Sequence, residues 1–192
     1  MGLDMYMFRV KRINDASLAD ISLVNDYLDW KGKGGKYTFE EWCGKDVNKV
    51  NMQLVNKYLN HHKDRYSNWD TDKKYPYKSI MENICYWRKA NQIHDWLVEN
   101  VQDGNDNCEP YEVTKEKLEE LLNVCKRVKA ASDIGAMSVA EEILPPSSGF
   151  FFGSTEFDEY YLSDVNYTID MFEKIIKETD FDKEIIFYES SW

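Results

Sequence analysis

The chain has 192 residues, 43% hydrophobic and 15% aromatic, enough to bury one sizeable core. Its net charge of −11 is unevenly spread: residues 1–80 hold 14 basic and 11 acidic side chains, residues 81–192 hold 10 and 24. The second half, at −14, should repel nucleic acid unless metal ions intervene and should suit a basic protein surface, although solubility is the commoner use of such charge. No apolar run approaches the roughly 18 residues needed to cross a bilayer.

Met1 leads straight into a mixed pattern without a signal-peptide hydrophobic region, so a cytoplasmic protein of a host bacterium, with no membrane partner, is expected. Cys43, Cys85, Cys108 and Cys125 show no CxxC or Cys/His spacing, which argues against zinc and a disulfide framework and for reduced thiols.

Residues 2–13 alternate Leu3, Met5 and Met7 against Tyr6, Phe8 and Val10, the pattern of a central strand apolar on both faces. Residues 15–30 read as a helix with Leu18, Ile21, Val24 and Leu28 on one face. The run Lys31-Gly32-Lys33-Gly34-Gly35-Lys36 breaks it. That run lacks the Ser/Thr and the strand-to-helix context of a phosphate loop, so a flexible surface turn is expected. Thr38-Phe39-Glu40-Glu41 is a capping box. A second helix over 46–62 carries Val47, Val50, Leu54, Val55 and Tyr58 in phase, and residues 63–78 form a polar loop. Residues 31–78 hold 11 basic and 6 acidic side chains and read as a basic insertion within a single domain, 1–192.

Residues 86–101 read as one helix whose inward face carries Trp87, Ala90, Asn91, His94, Leu97, Val98 and Val101. Buried amide and imidazole groups cost free energy unless hydrogen-bonded, so this stripe is either a satisfied structural network or the floor of a site. Asp103-Gly104-Asn105-Asp106-Asn107 has oxygen donors at alternate positions, but Cys108 and Thr114 stand where a calcium loop needs Gly and Glu. An Asx-rich turn is the better reading. A short strand over 109–113 is expected. Thr114 then caps a helix with Leu118, Leu121, Leu122, Cys125 and Val128 inward, and a short helix over 139–144 stops at Pro145-Pro146. Gly149-Phe150-Phe151-Phe152-Gly153-Ser154 reads as a short buried strand. A long helix over 157–177 and a strand over 184–189 complete the chain. Strands scattered among helices without βαβ alternation indicate an α+β fold, with a small, mainly antiparallel sheet packed by several helices.

Arg88, Asn91 and His94 share the 86–101 helix at spacings of three, so they could line one wall of a pocket that grips a phosphate or carboxylate. Their bland reading is a buried network with Arg88 paired to a local acid. Ser154 offers a hydroxyl and free amides before a helix, which suits an anion. Glu156 and Asp158 just behind would instead hold a divalent ion, while an ordinary N-terminal cap explains the same acids. Contact between Arg88, Asn91, His94 and Ser154 or Glu156 across a shared cleft is expected. Lys63, Arg65, Trp69, Lys73 and Lys74 interleave basic and aromatic groups as single-stranded nucleic acid requires, or simply pack as a loop. His61-His62 reads as a solvated helix end.

Met1-Gly2-Leu3-Asp4-Met5-Tyr6, Tyr86-Trp87-Arg88-Lys89-Ala90-Asn91 with Ile93 and His94, and Gly149-Phe150-Phe151-Phe152-Gly153-Ser154 together resemble a family of small proteins encoded by bacteriophages and prophages. The matching residues lie at both ends and in the middle but not within 14–80, and Cys85 stands where the family pattern has Gly. The family carries no assigned activity, so the resemblance implies genomic context. Small acidic phage proteins often bind and disable host machinery. The expected function is therefore an accessory protein that binds and inhibits a host component, such as an anti-CRISPR or anti-restriction protein. Its partner would be a host or phage protein or ribonucleoprotein, and it would need no cofactor. The alternative is a Mg²⁺- or Mn²⁺-dependent nuclease acting on RNA or single-stranded DNA, guided by 31–78, or a small nucleotide-binding protein.

Overall fold

A computed structural model of the chain describes residues 2–13, 16–32, 36–61, 80–149 and 152–192. The chain divides into two compact units, Met1–Arg9 with Asn83–Trp192, and Val10–Glu82. The second is interposed in the first and begins at Val10, well before the basic run at Lys31.

Within Val10–Glu82 the described elements are helical: α1 (Leu18–Gly32), α2 (Phe39–Cys43), a 3₁₀ turn (Val47–Lys49) and α3 (Met52–His61). Ile21, Val24 and Leu28 are buried on α1, Phe39 on α2, and Leu54, Val55 and Tyr58 on α3. The capping box forms as expected: the Glu41 amide donates to Thr38 Oγ1 at 3.2 Å and the Thr38 amide to the Glu41 carboxylate at 2.8 Å. The expected helix over 46–62 is broken in two. Asp46 caps the 3₁₀ turn, and Asn51 Oδ1 then accepts from the amides of Gln53 and Leu54 at 3.1 and 3.0 Å, which starts a new helix. The glycine-rich turn at 33–35, the polar loop at 63–78 and His62 lie outside the described residues.

The other unit holds a four-stranded antiparallel sheet in the order β2-β1-β4-β3, so this is an α+β fold. β1 is Asp4–Lys11, β2 Glu82–Arg88, β3 Tyr111–Glu112 and β4 Glu184–Ser191. β1 occupies an inner position, as its two-sided apolar pattern requires, with Leu3, Met5 and Met7 fully buried. Among the described residues, four helices belong to this unit: α4 (Asn91–Val101), α5 (Lys115–Asp133), α6 (Ser138–Ile143) and α7 (Glu159–Glu178). α5 packs along α7, burying Leu118, Leu121, Leu122, Cys125 and Val128 against Tyr161, Val165, Ile169 and Phe172. Thr114 and Asp158 cap the two helices through their side chains.

Two expectations fail here. Residues 86–88 belong to strand β2, not to a helix: Cys85 and Trp87 are buried while Tyr86 and Arg88 are exposed, which is a period of two. Lys89 then takes a left-handed backbone (φ 64) and the chain turns directly into α4. Trp87 and Ala90 are three apart and both buried, so they imitate a helical stripe across a strand–helix junction. The strand expected around 150–152 also fails where it can be followed. Phe150 and Phe151 lie outside the described residues, while Gly149, Phe152 and Gly153 are irregular and lie in no strand. Phe152 folds back instead, its amide donating to Gly149 O at 3.2 Å.

Candidate functional site

Asn91 is a clamp. Its Nδ2 donates to the carbonyls of Phe152 (3.1 Å) and Ser154 (2.8 Å), and its Oδ1 accepts from the Ser147 amide at 3.0 Å. One buried carboxamide thus satisfies three backbone groups of a segment that has no ladder of its own. Gly149 belongs to the same arrangement, because a Cβ there would fall 2.3 Å from the Phe152 ring.

His94 is likewise committed inside the protein. Its Nδ1 lies 2.7 Å from the Tyr188 hydroxyl and its Nε2 3.1 Å from Asp106 Oδ2. Burial pushes the Tyr188 phenol well above its ordinary range, so it remains a donor. The imidazole donates from Nε2 to the carboxylate and shares its other hydrogen bond, at Nδ1, with the Tyr188 hydroxyl. Trp192 Nε1 donates to the other Asp106 oxygen at 3.1 Å, and the Phe152 ring packs edge-on against the imidazole at 5.3 Å. Asp106 therefore serves this network, and the 103–107 run is a turn in which Asp103 and Gly104 are both left-handed (φ 52 and 76).

A cleft of about 390 Å³ opens beside these residues, lined by Arg88, Lys89 and Gln92 on one wall and by Gly153, Ser154, Glu156, Asp158, Tyr160, Tyr161 and Asp164 on the other. Of the residues expected to meet across it, Arg88, Ser154 and Glu156 line it, and Asp158 lies beside them. Asn91 and His94 hold the framework behind it. Lys63, Arg65, Trp69, Lys73 and Lys74 lie outside the described residues.

The first wall is made by the strand–helix junction. Arg88 ends β2 and the left-handed Lys89 follows it, so both residues border the cleft, and the Arg88 charge also acts on Tyr6 and Tyr86. Lys89 is held there by its amide, which donates to Leu3 O at 2.8 Å, and by its carbonyl, which accepts from Asn91 N at 2.9 Å. Among the described residues neither cationic side chain is ion-paired. The next residue in the wall, Gln92, is 3% exposed, and its side chain meets the Asp164 carboxylate.

The second wall is the start of α7. Asp158 Oδ1 accepts from the amides of Tyr160 and Tyr161, both at 3.0 Å, so the capping role expected for this acid is present. Ser154 Oγ accepts from the Glu156 amide at 3.1 Å. Tyr161 donates its hydroxyl to Leu144 O at 2.8 Å, whereas Tyr160 is 73% exposed at the rim. Asp164 titrates at about 6. Burial raises it most, the nearby Gln92 amide pulls it down, and the Asp158 charge raises it further. Among the described residues no three His, Cys, Asp or Glu side chains converge as a metal ion would require. Burial pushes the Cys85 and Cys125 thiols up to about 12, which leaves them unreactive.

Gln92, Tyr160, Tyr161 and Asp164 are missing from the sequence expectations. A signal existed for three of them: Tyr160, Tyr161 and Asp164 follow the Asp158 cap at spacings that put them on one side of the first turns of α7. Gln92 carried no signal beyond its place next to Asn91. No protein-family model, curated protein or solved structure matches the chain.

Proposed function

We propose that this is a phage- or prophage-encoded accessory protein that acts by binding, and so inhibiting, a host component, with bacterial defence machinery as the target. The observation that carries this reading is the commitment of Asn91 and His94. The two groups best suited to acid–base or polar catalysis spend their hydrogen-bonding capacity on Phe152, Ser154, Ser147, Tyr188 and Asp106. They shape the surface instead of reacting at it. The −14 balance of residues 81–192 supports a basic partner surface, whose association the field of those charges would speed.

The test is capture of partners from native bacterial lysate on the immobilised protein, at low and high salt. A partner retained at low salt and released at high salt is expected, since exposed charge pairs are screened at short range. Absence of any salt-sensitive partner contradicts the reading.

A second reading, the metal-dependent nuclease or nucleotide-binding protein, draws on one feature: Glu156, Asp158 and Asp164 face Arg88 and Lys89 across a single cleft. There Glu156 and Asp158 would hold Mg²⁺ or Mn²⁺ and the cations a phosphate, although no three acids converge among the described residues as a metal ion would require. It ranks second because one oxygen of Asp158 already caps α7.

A further inference from the structure

One face of the sheet carries a row of aromatic rings that runs from the interior out to solvent. Along β1, Met5 and Met7 point into the core, while Asp4, Tyr6 and Phe8 alternate with them on the other side and stay half-buried. Tyr86 of β2 and Phe187 of β4 extend the row across the neighbouring strands. The Tyr6 ring lies 5.2 Å from Tyr86 and 5.9 Å from Phe8, and Phe8 lies 5.4 Å from Phe187. Phe187 is 1% exposed and Tyr86 40%, so the row is closed at β4 and open at β2.

We propose that the open end of this row, Tyr6 and Tyr86, is the docking surface for an arginine side chain on the basic surface of a protein partner. The inference deepens the partner-binding reading and rests on it, by assigning the part of the chain that makes the contact.

Charge selects the occupant. Burial raises the Tyr6 phenol above its ordinary value, the Asp4 and Glu189 carboxylates raise it further, and Arg88 opposes them. Two carboxylates against one guanidinium leave the field at the rings negative, which complements a cation. Asp4 also accepts from the Tyr86 hydroxyl and so holds that ring at 43° to Tyr6. A guanidinium meets both demands of such a surface: it stacks flat on a tyrosine ring and bonds a carboxylate in two places. An ammonium is a compact, strongly hydrated charge that does neither as well. Single-stranded nucleic acid also stacks on aromatic rings, but its phosphates would be set against Asp4 and Glu189.

The test titrates the full chain, labelled with ¹⁵N, with end-blocked hexa-arginine, hexa-lysine and a uridine hexanucleotide at physiological salt. Hexa-arginine should shift the Tyr6, Tyr86 and Glu189 amides and bind about fivefold more tightly than hexa-lysine. Tyr86→Leu and Asp4→Asn, each shown by circular dichroism to fold, should weaken hexa-arginine about tenfold, and Tyr86→Leu should bring the two peptides level. The proposal is overturned if the shifts spread over other acidic regions, if lysine binds as well as arginine, or if both variants bind like the parent. Stronger binding of the hexanucleotide at these amides, or their movement on dilution of the protein alone, assigns the face to nucleic acid or to a second copy and also overturns it. Lysate capture repeated with Tyr86→Leu separates this proposal from the reading beneath it. Loss of a partner that the parent retains supports the proposal, whereas its retention overturns the proposal and leaves partner binding in place. Peptide binding at the rings with no partner captured supports the surface and contradicts only that reading.

Discussion

Gly153 lies directly against Lys89: a Cβ on this glycine (φ 102) would stand 3.1 Å from Lys89 Cβ and 3.3 Å from Lys89 O. Both residues are left-handed, and each walls the other into the cleft. Gly153→Ala is therefore strained in its own backbone and crowds Lys89, and should cost about 1–3 kcal/mol in urea unfolding. Lys89→Gly removes the left-handed penalty while losing a side chain exposed to solvent, so it should unfold at or slightly above the parent's urea midpoint. A large loss of stability in Lys89→Gly would mean that the lysine side chain holds the junction together.

Asn91→Ala strips partners from the Ser147 amide and from the Phe152 and Ser154 carbonyls at once. With roughly 1 kcal/mol per lost bond, the expected cost is about 3 kcal/mol, read from the urea midpoint at unchanged slope. A cost below about 1 kcal/mol would show that water readily replaces the carboxamide.

Tyr188→Phe leaves His94 Nδ1 without its hydroxyl partner while keeping the ring that packs beside it. A loss of about 1–3 kcal/mol is expected from the unsatisfied buried nitrogen. In a ¹⁵N spectrum of the imidazole, the variant should still show Nε2 protonated, because Asp106 continues to accept from it.

Asp164 holds its proton more tightly in the folded chain, at about 6 against an ordinary 3.8. Between these two values the folded state binds more protons than the unfolded one, so stability falls as pH rises through that window. The contribution is fully favourable below about pH 4, and above pH 6 the ionised carboxylate opposes folding. Asp158 is the charge that acts on it, and the Gln92 side chain meets it from α4. Asp164→Asn should therefore raise stability by about 1 kcal/mol at pH 7, after allowing for solvent screening, with no gain at pH 4. An equal effect at both values would place its origin outside ionisation.

Sequence periodicity was most informative where one element buried one continuous stripe. Leu118, Leu121, Leu122, Cys125 and Val128 mark α5, and Tyr161, Val165, Ile169 and Phe172 mark α7. The side chains of Thr114 and Thr38 mark two helix starts to the residue. It was least informative at junctions. Cys85 and Trp87 belong to a two-residue period and Ala90, His94 and Leu97 to a helical one. Where the periods meet at Lys89 the apolar positions still fall three or four apart, and a lysine gives no sign of a left-handed turn. The site was half legible for a related reason. Arg88, Ser154 and Glu156 follow from residue type and neighbourhood, but whether Asn91 and His94 face a cavity or a partner depends on contacts with Phe152, Tyr188 and Asp106, up to 94 positions away. Asp164 is one of 24 acids in its half of the chain, and only burial next to Asp158 sets it apart.

The most direct test of binding as the mode of action is incubation of the pure protein with end-labelled single-stranded RNA and DNA, with and without Mg²⁺ or Mn²⁺. The account predicts intact strands under every condition, from the parent chain and from Glu156→Ala alike. Metal-dependent cleavage by the parent chain that Glu156→Ala abolishes would contradict it and make the cleft a nuclease centre.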